Sequence, residues 1–145
     1  MEPAIIIDKN LLDKLTAEAQ ASPRLRMHYD LRDTTNDSSQ RLLNAIEPGT
    51  IIPIHRHTMT SETVICVRGR VEEIVYKEIN GRLVKDYSCV LCSRDARFIQ
   101  VPIGAWHTCK SLESGSVILE FKNTKYDSNT TEELWDKGNP VEING

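Results

Sequence analysis

Short apolar segments separated by turn residues constrain the fold of this chain more than any other feature of its sequence. From Gln40 onward the segments are rich in Val, Ile and Leu, and they read RLLNAI, TIIPIHRH, TVICVRG, VEEIVYKEI, RLVKDYSCVL, RFIQVP, HTCKSL and SVILEFK. Turn formers such as Pro48-Gly49 and Asn80-Gly81 lie between them, and an Asn-Gly pair between apolar runs predicts a tight hairpin. Many short strands with tight turns predict an all-β protein, either a closed barrel or a double-sheet jelly roll.

One segment near the N-terminus predicts a helix instead. Residues 11–21 have apolar side chains compatible with a single stripe, and Asp8 or Asn10 can cap them. Ser22-Pro23 ends the helix, because the residue before a proline is disfavoured in the α region. The alternating residues 24–31 predict an edge strand, and 33–39 a polar turn. The apolar helical positions are Leu11, Leu12, Leu15, Ala17 and Ala19.

A chain of 145 residues has the size of one domain. We predict that residues 1–39 form the helix and an extended segment packing on the barrel, that 40–125 form the barrel, and that 126–145 form a tail. This tail is polar and contains Trp135, so we expect an irregular or short helical segment docked by the indole ring.

Charge and composition exclude some partners. The 18 Lys and Arg residues against 21 Asp and Glu give a net charge of −3, which offers no basic face for nucleic acid. No basic stretch precedes an apolar leader, and no apolar run approaches the ~20 residues that span a bilayer. The sequence therefore predicts a cytoplasmic protein without a membrane partner. The four cysteines are expected to be free thiols, and Cys89 and Cys92 to be small buried or half-buried side chains rather than a redox or zinc pair.

Three of the four histidines fall into two short motifs. His55 and His57 are alternate residues of a predicted strand, so their imidazoles project to the same side. Glu62 begins the next strand, and its carboxylate is expected to arrive across a hairpin. His107 follows a turn at Pro102 and Gly104. Imidazole and carboxylate groups are common metal ligands, so these four residues predict a metal site.

The same residues resemble the cupin motifs. Residues 49–69 match the first motif, G-x5-H-x-H-x3,4-E-x6-G, at every specified position. Residues 96–111 resemble the second motif, G-x5-P-x-G-x2-H-x3-N, although Ala96 replaces its glycine and Ser111 its asparagine. The resemblance implies a single-domain cupin jelly-roll β-barrel with a short N-terminal helix, in which one divalent ion is bound by His55, His57, Glu62 and His107.

Nearly the whole chain is similar to the WbuC-type cupin metalloproteins. The most specific blocks are SPRLR at 22–26 and QRLLNA at 40–45. The resemblance implies a link to bacterial O-antigen and related surface polysaccharides, but it supplies no reaction and no catalytic residue.

Strand parity and residue type predict further groups near the metal. If Glu62 and His107 point inward, Cys66 and Cys109 do too, either as thiols near the ion or as small side chains that leave room in a narrow barrel. We predict Arg41 and Asn44 as substrate contacts, although three positions apart they cannot both face inward. Trp106 forms either a stacking wall or a plug at the barrel end.

Three His and one carboxylate suit Fe(II), Mn(II), Ni(II), Co(II) or Zn(II). The sequence leaves three hypotheses open: a sugar or sugar-nucleotide enzyme such as an isomerase or epimerase, an Fe(II)-type dioxygenase of a small molecule, and a non-catalytic module that binds a small molecule at its metal. The strands TVICVRG and SVILEFK are apolar on both faces, so either the helix or a second subunit must cover the outer face. We predict a homodimer.

Overall fold

The protein consists mainly of β-strands, with one helix, in a computed structural model that describes residues 1, 3–92, 94–136 and 139–140. The strands are β1 (Arg26–Asp30), β2 (Gln40–Ile46), β3 (His55–His57), β4 (Glu62–Arg68), β5 (Arg70–Ile79), β6 (Arg82–Cys92), β7 (Phe98–Val101), β8 (Trp106–Ser111), β9 (Ser116–Lys122), β10 (Thr131–Glu133), β11 (Trp135–Asp136) and β12 (Asn139–Pro140).

Two five-stranded antiparallel sheets face each other. The first sheet has the strand order β1-β2-β9-β4-β7, and the second has β10-β3-β8-β5-β6. Apolar side chains of both sheets pack between them, with a central cluster of Ile46, Val64, Cys66, Val71, Leu91, Cys109 and Ile118. The predicted all-β jelly roll is confirmed, and β1 lies at a sheet edge as its alternating sequence predicts.

Helix α1 (Lys9–Ala21) covers part of the outer face of the first sheet. Asp8 is its N-cap and accepts a hydrogen bond from the Leu11 amide, and Ser22 ends it in an extended conformation. Leu12, Leu15 and Ala19 pack against β2 and β9, whereas Ala17 is exposed, so the prediction that it belongs to the apolar stripe is wrong. The described residues include no helix long and apolar enough to cross a membrane.

Two local predictions are confirmed and one needs correction. Asn80 and Gly81 both have positive φ, at 51° and 73°, and join β5 to β6 in a tight hairpin. Cys89 and Cys92 are half-buried free thiols. The strand predicted for TIIPIHRH is limited to His55–His57, because Pro53 has no amide hydrogen for a sheet and the Thr50 amide bonds to the Glu47 carbonyl in a turn.

The C-terminal segment differs from its prediction. Thr131–Glu133 pairs with β3, so this part of the tail is a strand rather than an irregular or helical segment. Trp135 is 51% exposed and does not dock the tail; its indole nitrogen donates a hydrogen bond to Glu133 instead. The rest of the predicted tail, 137–138 and 141–145, lies outside the described residues.

Candidate metal centre

The cluster predicted from the sequence is assembled from both sheets. On the second sheet, His55 lies directly opposite His107 in the pairing of β3 with β8. Glu62 belongs to β4 of the first sheet, which pairs with β7 and β9. The expectation that its carboxylate arrives across a hairpin is therefore wrong, because residues 58–61 carry the chain from one sheet to the other. His57, Glu62 and His107 are buried, and His55 is half-buried.

The distances within the cluster fit one ion. Each of the four residues offers a ligand atom, and these atoms lie within 4.8 Å of one another. Ligand atoms bound ~2.1 Å from a metal are separated by ~3 to ~4 Å, so a small contraction would complete the set. The His57 Nε2 atom lies 3.1 Å from the Glu62 Oε2 atom.

Backbone carbonyls orient two of the imidazoles. The Nδ1 atoms of His55 and His107 lie 2.8 and 2.9 Å from the carbonyl oxygens of Pro53 and Ala105. A carbonyl only accepts hydrogen bonds, so each Nδ1 carries the hydrogen and directs Nε2 toward the cluster. The Nδ1 atom of His57 lies 3.3 Å from the Thr131 hydroxyl of β10. This is the arrangement of metal-binding histidines.

The His57 Nε2 atom supports the same conclusion. It is buried and has no hydrogen-bond partner among the residues that the structure describes, although a carboxylate oxygen of Glu62 is close. A buried polar atom without a partner is costly. A cation shared by the imidazole and the carboxylate would remove that cost, so the residues present fit a metal ion.

The surroundings of Glu62 and His55 favour the protonation states that bind a cation. Burial alone would raise the pKa of the Glu62 carboxyl, but the hydrogen bond from His107 and the close approach of the His107 and His57 imidazoles outweigh it and hold the pKa well below its usual range. Burial, together with the neighbouring His107, lowers the pKa of His55 to about 3, so its ring is neutral at pH 7. A carboxylate and a neutral imidazole are the protonation states that bind metals.

Three ionisable residues that sequence reasoning missed lie near the cluster. Lys122 is buried, and its Nζ atom is 4.0 Å from the Glu62 Oε2 atom. Glu120 lines a cavity whose wall also includes His55, His57, Glu62 and Lys122. Burial and the charge of Glu62 raise the pKa of Glu120. Glu73 is 1% exposed, and burial raises its pKa to about 8. Strand alternation in the sequence could have identified two of them, because Glu120 and Lys122 lie on the same face of their strand as the inward-facing Ile118.

The remaining predicted site residues are dispersed. Asn44 lines the cavity, and Arg41 does not; the Arg41 guanidinium bonds to the Asp37 carboxylate and nearby carbonyls. Cys66 and Cys109 point inward, as parity predicts, and pack in the apolar cluster between the sheets. They are not among the residues that line the cavity.

Trp106 lies on the opposite face of β8 from His107. It packs with Ile54, Ile74 and Tyr76, and the Arg56 guanidinium carbon lies 4.6 Å from its ring centroid. Adjacent residues of a strand face opposite sides, so an inward His107 directs Trp106 away from the cavity.

Comparison with solved structures identifies the fold. The chain is similar to the capsular polysaccharide assembling protein CapF from Staphylococcus aureus, with 21% identity, a TM-score of 0.60, and coverage of 78% of this chain and 32% of that one. It is similar to the rmlC epimerase of Mycobacterium tuberculosis, with 22% identity, a TM-score of 0.58, and coverage of 68% and 52%. An oxalate oxidase in complex with the substrate analogue glycolate has 16% identity, a TM-score of 0.57, and coverage of 72% and 54%.

These likenesses establish a cupin jelly roll. This chain spans about a third to a half of the length of these three solved structures. Its sequence matches no curated protein. One family model, for a domain of unknown function, matches residues 7–88, which is more than half of the chain. The protein therefore belongs to the DUF6016 family, and its fold is that of the cupins.

Proposed function

We propose that this protein binds one divalent metal ion on His55, His57, Glu62 and His107 and uses it to hold a sugar or sugar-nucleotide derivative in surface-polysaccharide metabolism. The observation that carries the proposal is the buried cluster of three imidazoles and one carboxylate, with its ligand atoms within 4.8 Å of one another. A bound ion would polarise a carbonyl or hydroxyl group of the ligand.

Two likenesses support the ligand class. The motifs at 22–26 and 40–45 resemble WbuC-type cupins, and two of the structural neighbours are a capsular polysaccharide assembling protein and an epimerase. A cavity of about 1190 Å³ includes His55, His57 and Glu62 in its wall. Such a volume exceeds what a single small acid needs, since drug-sized ligands occupy ~300 to ~1,000 Å³.

Elemental analysis of the purified protein tests the metal centre. We expect about one ion per chain, which would also identify the metal among Fe, Mn, Ni, Co and Zn. His55→Ala and His107→Ala should lose it, because each removes one of four ligands. His28→Ala is the matched control, since His28 is the one histidine outside the cluster. Retention of metal by His107→Ala, or no uptake from any of the five divalent salts, would refute the assignment.

The second candidate is a dioxygenase. The ligand set suits Fe(II) as well as the other metals, and oxalate oxidases are among the structural neighbours. Oxygen uptake by the Fe(II)-loaded protein over a panel of small acids, diols and thiols would favour it. A nucleotide sugar that binds and is recovered unchanged would instead favour a non-catalytic binding module.

We also propose that the protein is a homodimer. Helix α1 covers the outer face near β2 and β9, but farther along this face Ile65 is half-buried and its cross-strand partner Phe98 is 63% exposed. A second copy is the proposed cover for these apolar side chains. Light scattering at micromolar concentration tests this proposal, and a monomer mass would reject it.

A cytoplasmic location belongs to the same proposal. Its support is that Cys66, Cys89, Cys92 and Cys109 are all free thiols, a state that reducing compartments maintain. Cell fractionation with thiol labelling tests it, and recovery with oxidised cysteines from an extracellular fraction would contradict it.

A further inference from the structure

The cavity beside the metal centre is also lined by Arg24 and Arg26, which lie just before and at the start of strand β1. In β1, Arg26 and His28 line the cavity. Tyr29 packs toward helix α1 on the other face of the strand, and Met27 packs there as well while also contributing to the cavity wall. His28 lies directly opposite Asn44 in the pairing with β2, and Asn44 also lines the cavity. The inner face of β1 and the metal cluster therefore border the same space.

Two arginines of this wall have no internal partner. Arg24 and Arg26 make no side-chain hydrogen bond and no ion pair with any residue that the structure describes. The other arginine and lysine residues of the wall have partners. Arg32 bonds to the Asp30 carboxylate through Nε and Nη2, the Lys125 Nζ atom donates to the Thr35 carbonyl, and Lys122 lies near Glu62. A guanidinium matches two oxygen atoms of a phosphate or carboxylate, so two unpaired guanidinium groups favour an oxyanion.

The backbone between these arginines has an unusual conformation. Leu25 has a φ of 55°, which a branched side chain rarely adopts. Its carbonyl oxygen accepts hydrogen bonds from the Glu47 amide at 2.9 Å and the Thr50 hydroxyl at 2.7 Å. Strained residues held by their surroundings are concentrated at ligand-binding sites. The conformation of Leu25 fixes the segment from which both arginines enter the cavity wall.

Strand β1 and the metal cluster are too far apart for one small anion to reach both. Two strands, β2 and β9, lie between β1 and the Glu62 strand β4. Three strand spacings of ~4.8 Å place β1 ~14 Å from β4, measured along the sheet. A ligand that bridges the two places must therefore be extended and carry its anionic group away from the metal.

We propose that Arg24 and Arg26 bind a phosphate or diphosphate group of a ligand whose other end lies at the metal centre. This deepens the proposed function and rests on it for the position of that other end. It selects phosphorylated sugars and sugar nucleotides over neutral sugars, since a neutral sugar leaves both guanidinium groups without a partner.

Calorimetric titration of metal-free protein with inorganic pyrophosphate tests this subsite. The protein is stripped with a chelator and dialysed free of it, so that neither the metal nor the chelator competes for the probe. We expect one site per chain, weakened at least about tenfold in Arg24→Gln and in Arg26→Gln, because each variant loses a charge-assisted hydrogen bond. Arg82→Gln on β6 is the control, since it removes the same charge at an exposed position outside the cavity.

Several results would overturn the proposal. These are no binding of pyrophosphate, equal weakening in all three variants, and malonate binding more tightly than pyrophosphate. The arginine subsite would also be wrong if pyrophosphate bound only to the metal-loaded protein, with this binding lost in His57→Ala and kept in Arg26→Gln. That result would still support the metal centre. Conversely, arginine-dependent binding by a protein that takes up no metal would support the subsite and reject the metal centre. Circular dichroism of each variant checks that the fold is retained.

Discussion

The buried carboxyl of Glu73 should make the metal-free protein lose stability as the pH rises. Its Oε2 atom has no hydrogen-bond partner among the described residues. Burial, reinforced by the charge of Glu62, raises its pKa from 4.5 to about 8 against the opposing charge of His107. A carboxyl with a raised pKa binds its proton more tightly in the folded state, so stability is highest below the unfolded pKa and falls as the pH rises toward the folded pKa.

The size of this effect follows from the two pKa values. One pKa unit corresponds to about 1.4 kcal/mol, so the full effect of Glu73 is about 5 kcal/mol. Part of this loss of stability has already occurred by about pH 5. The free energy of unfolding is therefore expected to fall by about 4 kcal/mol between about pH 5 and about pH 9. This is a large fraction of the 5 to 15 kcal/mol that stabilises a typical domain.

Urea unfolding of Glu73→Gln and of the parent protein, followed by circular dichroism in the presence of a chelator, measures this difference. The amide has nearly the shape of the protonated carboxyl but does not ionise. The free energy of unfolding of the variant should therefore rise by about 4 kcal/mol relative to the parent over this pH range. Glu78→Gln is the control, because Glu78 is exposed on the same strand. Parallel pH profiles for Glu73→Gln and the parent would refute the reasoning.

Three further predictions concern the scaffold of the site. Gly69→Ala should destabilise the protein by about 1 to 3 kcal/mol more than Gly81→Ala in urea unfolding. A Cβ at Gly69 would collide with the Ser116 hydroxyl and lie 2.7 Å from the Ser116 Cα, whereas Gly81 has open space and a similar positive φ. Equal losses would contradict this. Asp8→Ala should cost about 1 kcal/mol by removing the helix cap, while Asn10→Ala should not, and equal effects of the two would show that Asp8 is not the cap. Leu15→Ala should lower the free energy of unfolding by about 2 to 5 kcal/mol in thermal or urea unfolding, since Leu15 is buried against the first sheet. The control Ala17→Gly, at an exposed position of the helix, should lower it by about 1 kcal/mol. A loss below about 1 kcal/mol for Leu15→Ala would show that the helix is only loosely docked.

Features that depend only on residues adjacent in the chain could be predicted from the sequence. Asn80-Gly81 specified its hairpin because both residues tolerate positive φ. Ser22-Pro23 predicted the C-terminal end of the helix through the restriction before proline, whereas the sequence offered both Asp8 and Asn10 as its cap and the structure shows Asp8. Alternation along β4 and β8 predicted that Cys66 and Cys109 point inward with Glu62 and His107.

The contacts between distant strands became visible with the folded structure. It brought Glu62 to the histidines from the opposite sheet and added β10 beside β3. It also placed Glu120 and Lys122 in the cavity wall and left Arg24 and Arg26 unpaired there. Such contacts depend on strand order and on the approach of two sheets, and residue spacing along one chain carries no direct record of either.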